Sequence, residues 1–268
     1  MFHNVWPFLG SLGRLVEVPF TASEATSRAN RYSERFTVEG RRRVQASPST
    51  PRSWSVDVSG ASPLELAGLY DFASGAWGNG PFLWVPVDAQ MGNVLTPRQS
   101  IFADRESSSD FVSGGPVLDS DGAWAPVSLV CSVASGWVPV WRSIPVIPGR
   151  AVTFSADVSG DNPRLVVSAR ESSGGQLSAA SAEGSGGAMQ RVSVTIVPPE
   201  GAVSVWAGVH SSVTRLVRPQ VTWTAGAVPY ASGRGCVAAV VDGLTEDLLV
   251  ATQRGPISRV GFTVLEVG

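Results

Sequence analysis

The stretch Ala151-Val-Thr-Phe-Ser-Ala-Asp-Val158 decides the fold of this chain. Apolar and polar residues alternate along it, and alternation with a period of two is typical of a β-strand with one buried face. The pattern returns in Arg191-Val-Ser-Val-Thr-Ile-Val197 and in Ala202-Val-Ser-Val-Trp-Ala-Gly-Val209. Because 29 Gly and 19 Pro residues punctuate the chain, we predict an all-β protein with a sandwich or barrel of short strands.

Helical signals are few. The best is the segment from Ser62 to Phe72, in which Ser62 can cap a helix, Pro63 suits a first turn and leucines recur at nearly helical spacing. A second, weaker candidate runs from Ser23 to Arg31. The sequence therefore predicts one helix within an N-terminal β-rich region.

Composition divides the chain into four segments. Residues 1–100 contain strands and the helix, and residues 101–122 are rich in Ser, Asp and Gly, which predicts a linker or long loop. Residues 123–232 form a dense series of strands, within which Gly, Ser and Ala predict a long exposed loop from Ser172 to Gly187. Residues 233–268 are expected to complete a sheet of either domain with two or three strands, at Cys236–Val241, Leu248–Thr252 and Ile257–Val267.

Charge and cysteine content narrow the choice of partners. The formal net charge is −2, which argues against nucleic acid because phosphate binding needs a basic patch. All 20 basic residues are Arg, as a G+C-rich genome favours, and Arg also suits protein interfaces. Cys131 and Cys236 are predicted to be buried free thiols, with a single disulfide as the alternative. No apolar run of about 20 residues predicts a membrane span.

Catalytic chemistry finds little support in the sequence. Histidine occurs only at His3 and His210, whereas a triad hydrolase or a zinc enzyme needs well-placed histidines. Asp119-Ser-Asp-Gly122 begins like a calcium loop but lacks the later ligands, so we favour a tight turn and keep a structural calcium as the alternative. Neither a phosphate loop nor a distinctive carboxylate pair is present. We expect no enzymatic activity, no cofactor and no metal.

One aromatic residue is predicted to lie outside the core. In Ala202–Val209 the valines share one face, so Trp206 points to the other face of its strand. By the same alternation, Ser168 and Arg170 point away from their apolar neighbours in Arg164–Arg170. A tryptophan flanked by Arg and Ser suits contact with a glycan or a protein. The alternative is burial of Trp206 under a loop or a neighbouring domain.

A second candidate contact is the basic run Arg41-Arg42-Arg43. In a strand, Arg41 and Arg43 point one way and Arg42 the other. These residues are either an assembly contact with carboxylates of a neighbouring subunit or the solvated side chains of an edge strand, which Arg protects from mispairing.

Residues 143–235 resemble the jelly-roll carbohydrate-binding modules of families four and nine. This resemblance covers about a third of the chain and implies a jelly-roll β-sandwich, without ligand residues that carry over position by position. It rests on Ile147-Pro-Gly-Arg-Ala-Val-Thr-Phe-Ser-Ala156, Gln190–Val194, Val197-Pro-Pro-Glu-Gly-Ala202, Arg218-Pro-Gln-Val-Thr-Trp-Thr-Ala-Gly226 and Val228-Pro-Tyr-Ala-Ser-Gly233.

Residues 30–100 resemble the N-terminal β-rich region of minor tail proteins from phages of actinobacteria. Members of that family are similar to distal-tail proteins, which form rings that join the tail tube to the tip. The resemblance implies a tail subunit that assembles in the host cytoplasm. The matching pieces are Phe36-Thr-Val-Glu-Gly40, Arg52-Ser-Trp54, Leu69–Gly80 and Asn93-Val-Leu-Thr-Pro97.

These observations combine into one expectation. We expect an all-β chain with an N-terminal, distal-tail-like β-rich domain that contains one helix, followed by a jelly-roll β-sandwich. Its expected role is that of a virion tail protein, in a homo-oligomeric ring with other tail proteins, whose jelly roll meets host surface glycans. The alternatives are a glycan-binding adhesion module, a cell-wall hydrolase and a head decoration protein.

Overall fold

The computed structural model describes residues 5–19, 21–28, 32–39, 41–46, 51–78, 80–105, 109–253 and 255–267. Strands dominate these ranges, and the all-β prediction is confirmed. The helices are α1 (Pro63–Ala73), α2 (Val87–Met91) and α3 (Pro97–Ser100). The strands are β1 (Phe8–Ser11), β2 (Arg14–Glu17), β3 (Thr21–Arg28), β4 (Tyr32–Phe36), β5 (Arg42–Ala46), β6 (Arg52–Ala61), β7 (Phe82–Val85), β8 (Phe111–Gly114), β9 (Val117–Leu118), β10 (Trp124–Ala125), β11 (Ser128–Cys131), β12 (Trp137–Pro145), β13 (Val152–Gly160), β14 (Arg164–Arg170), β15 (Gln176–Glu183), β16 (Gly187–Ile196), β17 (Ser204–His210), β18 (Val213–Thr222), β19 (Cys236–Thr252) and β20 (Gly255–Glu266).

The chain divides into two compact units. Unit 1 comprises Met1–Gly10, Val16–Trp84 and Val237–Gly268, and unit 2 comprises Ser11–Leu15 and Val85–Cys236. The predicted boundary at residue 100 differs from this division, because residues 85–100 belong to unit 2. The C-terminal segment, predicted to complete a sheet of either domain, returns to unit 1.

Unit 1 is built on a seven-stranded sheet with the order β2-β1-β7-β19-β20-β6-β3, beside the separate hairpin β4-β5. The interior strands β6 and β20 pair antiparallel, with Val264 opposite Trp54 and Phe262 opposite Val56. These four side chains are buried, so alternation along both strands supplies one apolar face of the sheet.

Helix α1 confirms the prediction for Ser62 to Phe72. Ser62 is the N-cap and forms a capping box with Glu65, whose carboxylate accepts from the Ser62 backbone N–H at 2.8 Å. Capping of this kind satisfies backbone donors that have no partner within the helix. The buried residues of the helix are Leu66, Leu69 and Phe72.

One prediction for unit 1 needs correction, and another is narrowed. The candidate helix from Ser23 to Arg31 is wrong, since β3 covers Thr21–Arg28 and pairs along β6; residues 29–31 lie outside the described part of the chain. Sheet pairing has overridden a weak local propensity. The C-terminal segment, predicted to form two or three strands, forms two, because β19 continues from Cys236 to Thr252 as one strand.

Unit 2 is an antiparallel β-sandwich, as predicted. A five-stranded sheet with the order β16-β13-β18-β11-β8 packs on a four-stranded sheet with the order β12-β17-β14-β15, and β9 pairs with β10 apart from them. The core contains the fully buried apolar side chains of the alternating strands, among them Val152, Phe154, Ala156, Val158, Leu165, Val167, Ala169, Val205, Ala207 and Val209.

Two predicted loops contain strands of this sandwich. Residues 101–122 are not simply a linker, because β8 lies within them and pairs with β11, where Phe111 is buried. Ser172 to Gly187 is not a long loop either, because β15 pairs along the whole of β14. Both segments contain an edge strand that is rich in small and polar residues. The sequence predicted loops there because the composition of a half-exposed edge strand resembles that of a loop.

The polar side chains of β13 are buried as well as the apolar ones. The sequence predicts a half-exposed strand there, yet Thr153, Ser155 and Asp157 are all buried. Asp157 pairs with Arg218 and, at 3.5 Å, with Arg191. This pairing is required because a buried carboxylate without partners costs several kcal/mol.

The Asp119–Gly122 segment belongs to the same ion-pair network. It is a tight turn in which the Asp119 carboxylate accepts from the backbone N–H groups of Asp121 and Ala123, both at 2.9 Å. Arg218 pairs with Asp119 at 2.8 Å and with Asp121 at 2.9 Å. A guanidinium group therefore already pairs with the carboxylates that the calcium alternative requires.

Replacing Asp157 tests the importance of this network. Asp157→Asn removes the charge and leaves the two guanidinium groups with less compensation, so the free energy of unfolding should fall by roughly 3–5 kcal/mol. Urea denaturation measures the change. The exposed Asp161 provides the control, and equal effects of Asp157→Asn and Asp161→Asn would contradict the proposed importance of the pair.

Both cysteines are free and buried, in agreement with the preferred prediction. Burial raises the pKa of the Cys131 thiol to about 12. Since the thiolate is the reactive form, Cys131 should be unreactive at neutral pH while the chain is folded.

Thiol titration with a chromogenic disulfide reagent tests this expectation. The folded protein should label slowly, and the unfolded protein, without added reductant, should release two equivalents of chromophore, one for each free cysteine. Fast labelling of the folded chain would contradict burial. If the unfolded protein released no chromophore, the two cysteines would form a disulfide.

Candidate functional site

Trp206 lies where the alternation of its strand predicts. Its neighbours in β17, Val205 and Ala207, are completely buried, whereas Trp206 is half-buried on the opposite face of the sheet. The core is therefore on the valine side, and the indole lies on the outer surface of the four-stranded sheet.

The position of the indole depends on Gly208. Residues 206 and 208 share a strand face, and a Cβ atom at position 208 would lie 2.5 Å from Cζ3 of Trp206. Any other residue would displace the ring or the strand, so glycine lets the indole lie over its own strand.

The adjacent strand places the two other predicted contact residues. Ser168 pairs in register with Trp206, and Arg170 pairs with Ser204. The Cζ atom of Arg170 lies 5.1 Å from the centroid of the Trp206 ring, within the range of a cation–π interaction. Ser168 is completely buried and its hydroxyl donates to the Ser178 carbonyl oxygen at 3.3 Å, so the structure does not support Ser168 as a surface contact.

Trp206 and Arg170 line a cleft of about 510 Å³. Its wall also includes Arg142, Ser143 and Glu171, which sequence analysis did not select. Arg142 and Ser143 lie in β12 within an irregular step of its pairing with β17, between Trp141 and Ile144. Such bulges redirect side chains, so simple alternation does not reveal their direction.

The cleft has a cationic wall. Burial lowers the pKa of Arg170, and the positive charge of Arg142 lowers it further. The Nε atom of Arg170 is buried and has no hydrogen-bond partner among the described residues. Its Nη1 atom donates to the Gly174 carbonyl oxygen at 3.3 Å, a long contact for this pair of atoms. The guanidinium groups of Arg142 and Arg170 thus both line the cleft, and the Nε–H of Arg170 is a donor without an acceptor among the described residues.

A second depression adjoins the cleft. It has a volume of about 440 Å³, shares Arg142 and Ser143 with the first, and is also lined by Arg105 and Trp141. Trp141 is buried and its Nε1 donates to the Asp104 carbonyl oxygen at 3.1 Å. Arg142 therefore lies at the junction of two adjacent recesses.

The predicted assembly contacts lie in unit 1. Arg41 is exposed and lies 3.7 Å from the Glu39 carboxylate of its own chain. Arg42 is exposed in β5. Arg43 pairs in register with Arg35, but its side chain lies outside the described part of the structure. The role of this run in assembly stays a prediction.

The remaining sequence candidates are the two histidines. His210 lies edge-on to Trp137, with ring centroids 4.9 Å apart, and its Nδ1 lies 3.2 Å from the Ser212 hydroxyl; His3 lies outside the described residues. Among the described residues, no group of three or more His, Cys, Asp or Glu side chains is arranged to hold a metal ion. No helix in this part of the chain is long and apolar enough to cross a membrane.

Comparisons with known proteins give distant likenesses of structure. No family model matches the sequence, and no curated protein matches it. The CBM22-1 and GH10 modules of a Clostridium thermocellum endo-1,4-β-D-xylanase, complexed with xylohexaose, are 12% identical with a TM-score of 0.31, over 44% of this chain and 25% of that one. The enzymatically active domain of tailspike protein 4 of bacteriophage CBA120 is 10% identical with a TM-score of 0.35, over 49% and 21%.

A third solved structure, described as a carbohydrate-binding module of the β-sandwich superfamily, is 8% identical with a TM-score of 0.27, over 81% of this chain and 86% of that one. The chain thus spans about a quarter of the xylanase structure and a fifth of the tailspike structure. At these scores and identities the likenesses carry no argument about ligand, activity or partners, which have to come from the residues themselves.

Proposed function

We propose that this chain is a non-enzymatic structural subunit of a phage tail, which assembles with other tail proteins in the host cytoplasm and remains in the virion. Two sequence resemblances support the proposal, those of residues 30–100 to minor tail proteins and of residues 143–235 to jelly-roll modules that phage structural proteins also use. One structural observation carries the idea of assembly, namely an exposed apolar run on β19.

This run is Leu248-Leu249-Val250. The three side chains are 63%, 48% and 53% exposed, and they lie at an irregular step in the pairing of β19 with β20. Contiguous exposed apolar surface is typical of a protein–protein interface, and its burial stabilises an assembly by about 25 cal/mol for each Å² removed from water. We infer that a second copy of the chain covers this run in a homo-oligomeric ring.

Charged residues on this run should prevent association. We expect the wild-type chain to form oligomers with increasing concentration, and L248D/V250D to stay monomeric in sedimentation velocity. Leu64→Asp is the matched control, because Leu64 is an 87% exposed leucine of the same unit. A wild-type chain that is monomeric at every concentration, or a control that dissociates equally, would argue against the interface.

The place of the protein in the particle needs a separate measurement. Cryo-electron microscopy of the intact virion should locate the chain at the tail, in few copies. Abundant copies over the capsid surface would instead identify a head decoration protein.

A second function, glycan binding by unit 2, is favoured by the cleft beside Trp206. Its wall combines aromatic ring surface with guanidinium and hydroxyl groups, and sugar recognition uses apolar ring faces together with a few directed polar groups. Among the described residues, Glu171 is the one carboxylate on the lining of this cleft. A glycoside hydrolase generally needs two, so binding without turnover is the better proposal.

Trp206→Ala should remove binding to host surface glycans on a glycan array. Loss of the indole removes both ring contact and the surface on which Arg170 packs, so we expect affinity to fall at least tenfold, or about 1.4 kcal/mol. Trp124→Ala is the control, since Trp124 is a 71% exposed tryptophan of the same unit outside the cleft lining. An equal loss of glycan affinity in both variants, or no array binding by the wild-type chain, would contradict the proposal.

A further inference from the structure

The charge of the cleft bears on which sugar it selects. Neutral sugars are recognised through hydroxyl groups, which need donors and acceptors in similar number. Here Arg170 and Arg142 both lie on the lining, and a guanidinium group offers five N–H donors and no acceptor. The surplus of donors favours a ligand group that only accepts.

The carboxylate on the lining offsets this charge only in part. Glu171 is exposed, and its Oε1 accepts from the Ser173 hydroxyl at 2.6 Å. Arg164, on the same strand as Arg170, pairs instead with Glu183, at 2.7 Å. Arg170 instead packs on Trp206 and keeps its buried Nε without a hydrogen-bond partner among the described residues.

We propose that the cleft binds an acidic glycan, whose anionic group pairs with Arg170 and Arg142 while an adjoining sugar ring contacts Trp206. This inference rests on the proposed glycan-binding function and specifies its ligand class. A planar guanidinium group matches the two oxygens of a carboxylate or phosphate. A sugar chain longer than one residue fits best, because Arg142 also lines the adjoining recess.

An array of bacterial surface glycans tests this inference, with each acidic glycan printed beside its carboxyl-reduced or dephosphorylated counterpart. The full-length chain should bind acidic members at least tenfold more tightly than their neutral counterparts. The two kinds of counterpart show whether a carboxylate or a phosphate supplies the charge. Binding should also weaken as the salt concentration rises, because partly exposed charges are screened.

Two variants assign the selectivity to the cleft. Arg142→Gln changes an exposed side chain and should lower affinity for the acidic glycans roughly tenfold, with little effect on neutral ones, in line with the net contribution of a charged hydrogen bond. Arg170→Gln should have a larger effect. Arg164→Gln, on the same strand but outside the lining, should bind as the wild-type chain does.

The outcomes separate this inference from the function on which it rests. Equal binding of acidic and neutral partners that is abolished by Trp206→Ala would overturn the acidic preference and leave glycan binding intact. Acidic selectivity that survives both Arg142→Gln and Arg170→Gln would also overturn it. The absence of binding to every printed glycan would overturn both.

Discussion

The buried carboxylate of Asp157 imposes the constraint on which the sandwich depends. It lies on the central strand β13, and its partners Arg191 and Arg218 come from the strands on either side, β16 and β18. Both guanidinium groups lie over the Tyr230 ring, at 5.7 and 5.6 Å from its centroid. Because no member can leave without exposing a buried charge to an apolar interior, the network holds three strands and the segment around Tyr230 in one arrangement.

Local backbone geometry accommodates this network. Arg218 has a φ of 47°, in the left-handed region that costs a non-glycine residue roughly 1–2 kcal/mol. The pairing of β13 with β18 shifts between Ser155 and Asp157, opposite Arg218 and Pro219. Pro219 has no N–H to donate, and proline in sheets is found at such bulges. The bulge aims Arg218 at Asp157 and at the Asp119–Gly122 turn, so strain is offset by three ion pairs.

The two proposed functions belong to different parts of the chain. Unit 1 combines N-terminal and C-terminal strands in a single sheet, with β7 next to β19. The residues that form the sandwich of unit 2 lie between these two strands in the sequence. The apolar run proposed for assembly lies on β19, and the cleft proposed for glycans lies on β14 and β17. Since β14 and β17 pair without a register shift, Trp206 and Arg170 are held side by side before any ligand binds.

The sequence by itself determined the all-β class, helix α1, the core face of β17 and the outward direction of Trp206, because these follow from local periodicity and capping. Tertiary structure decided the rest. Edge strands β8 and β15 are defined by pairing with β11 and β14 on one side only, so their composition resembled that of loops. Arg142 reaches the cleft from a strand with irregular pairing, and Asp157 is buried by partners far along the chain. Register, bulges and long-range ion pairs leave no periodic signal, so only the folded chain reveals them.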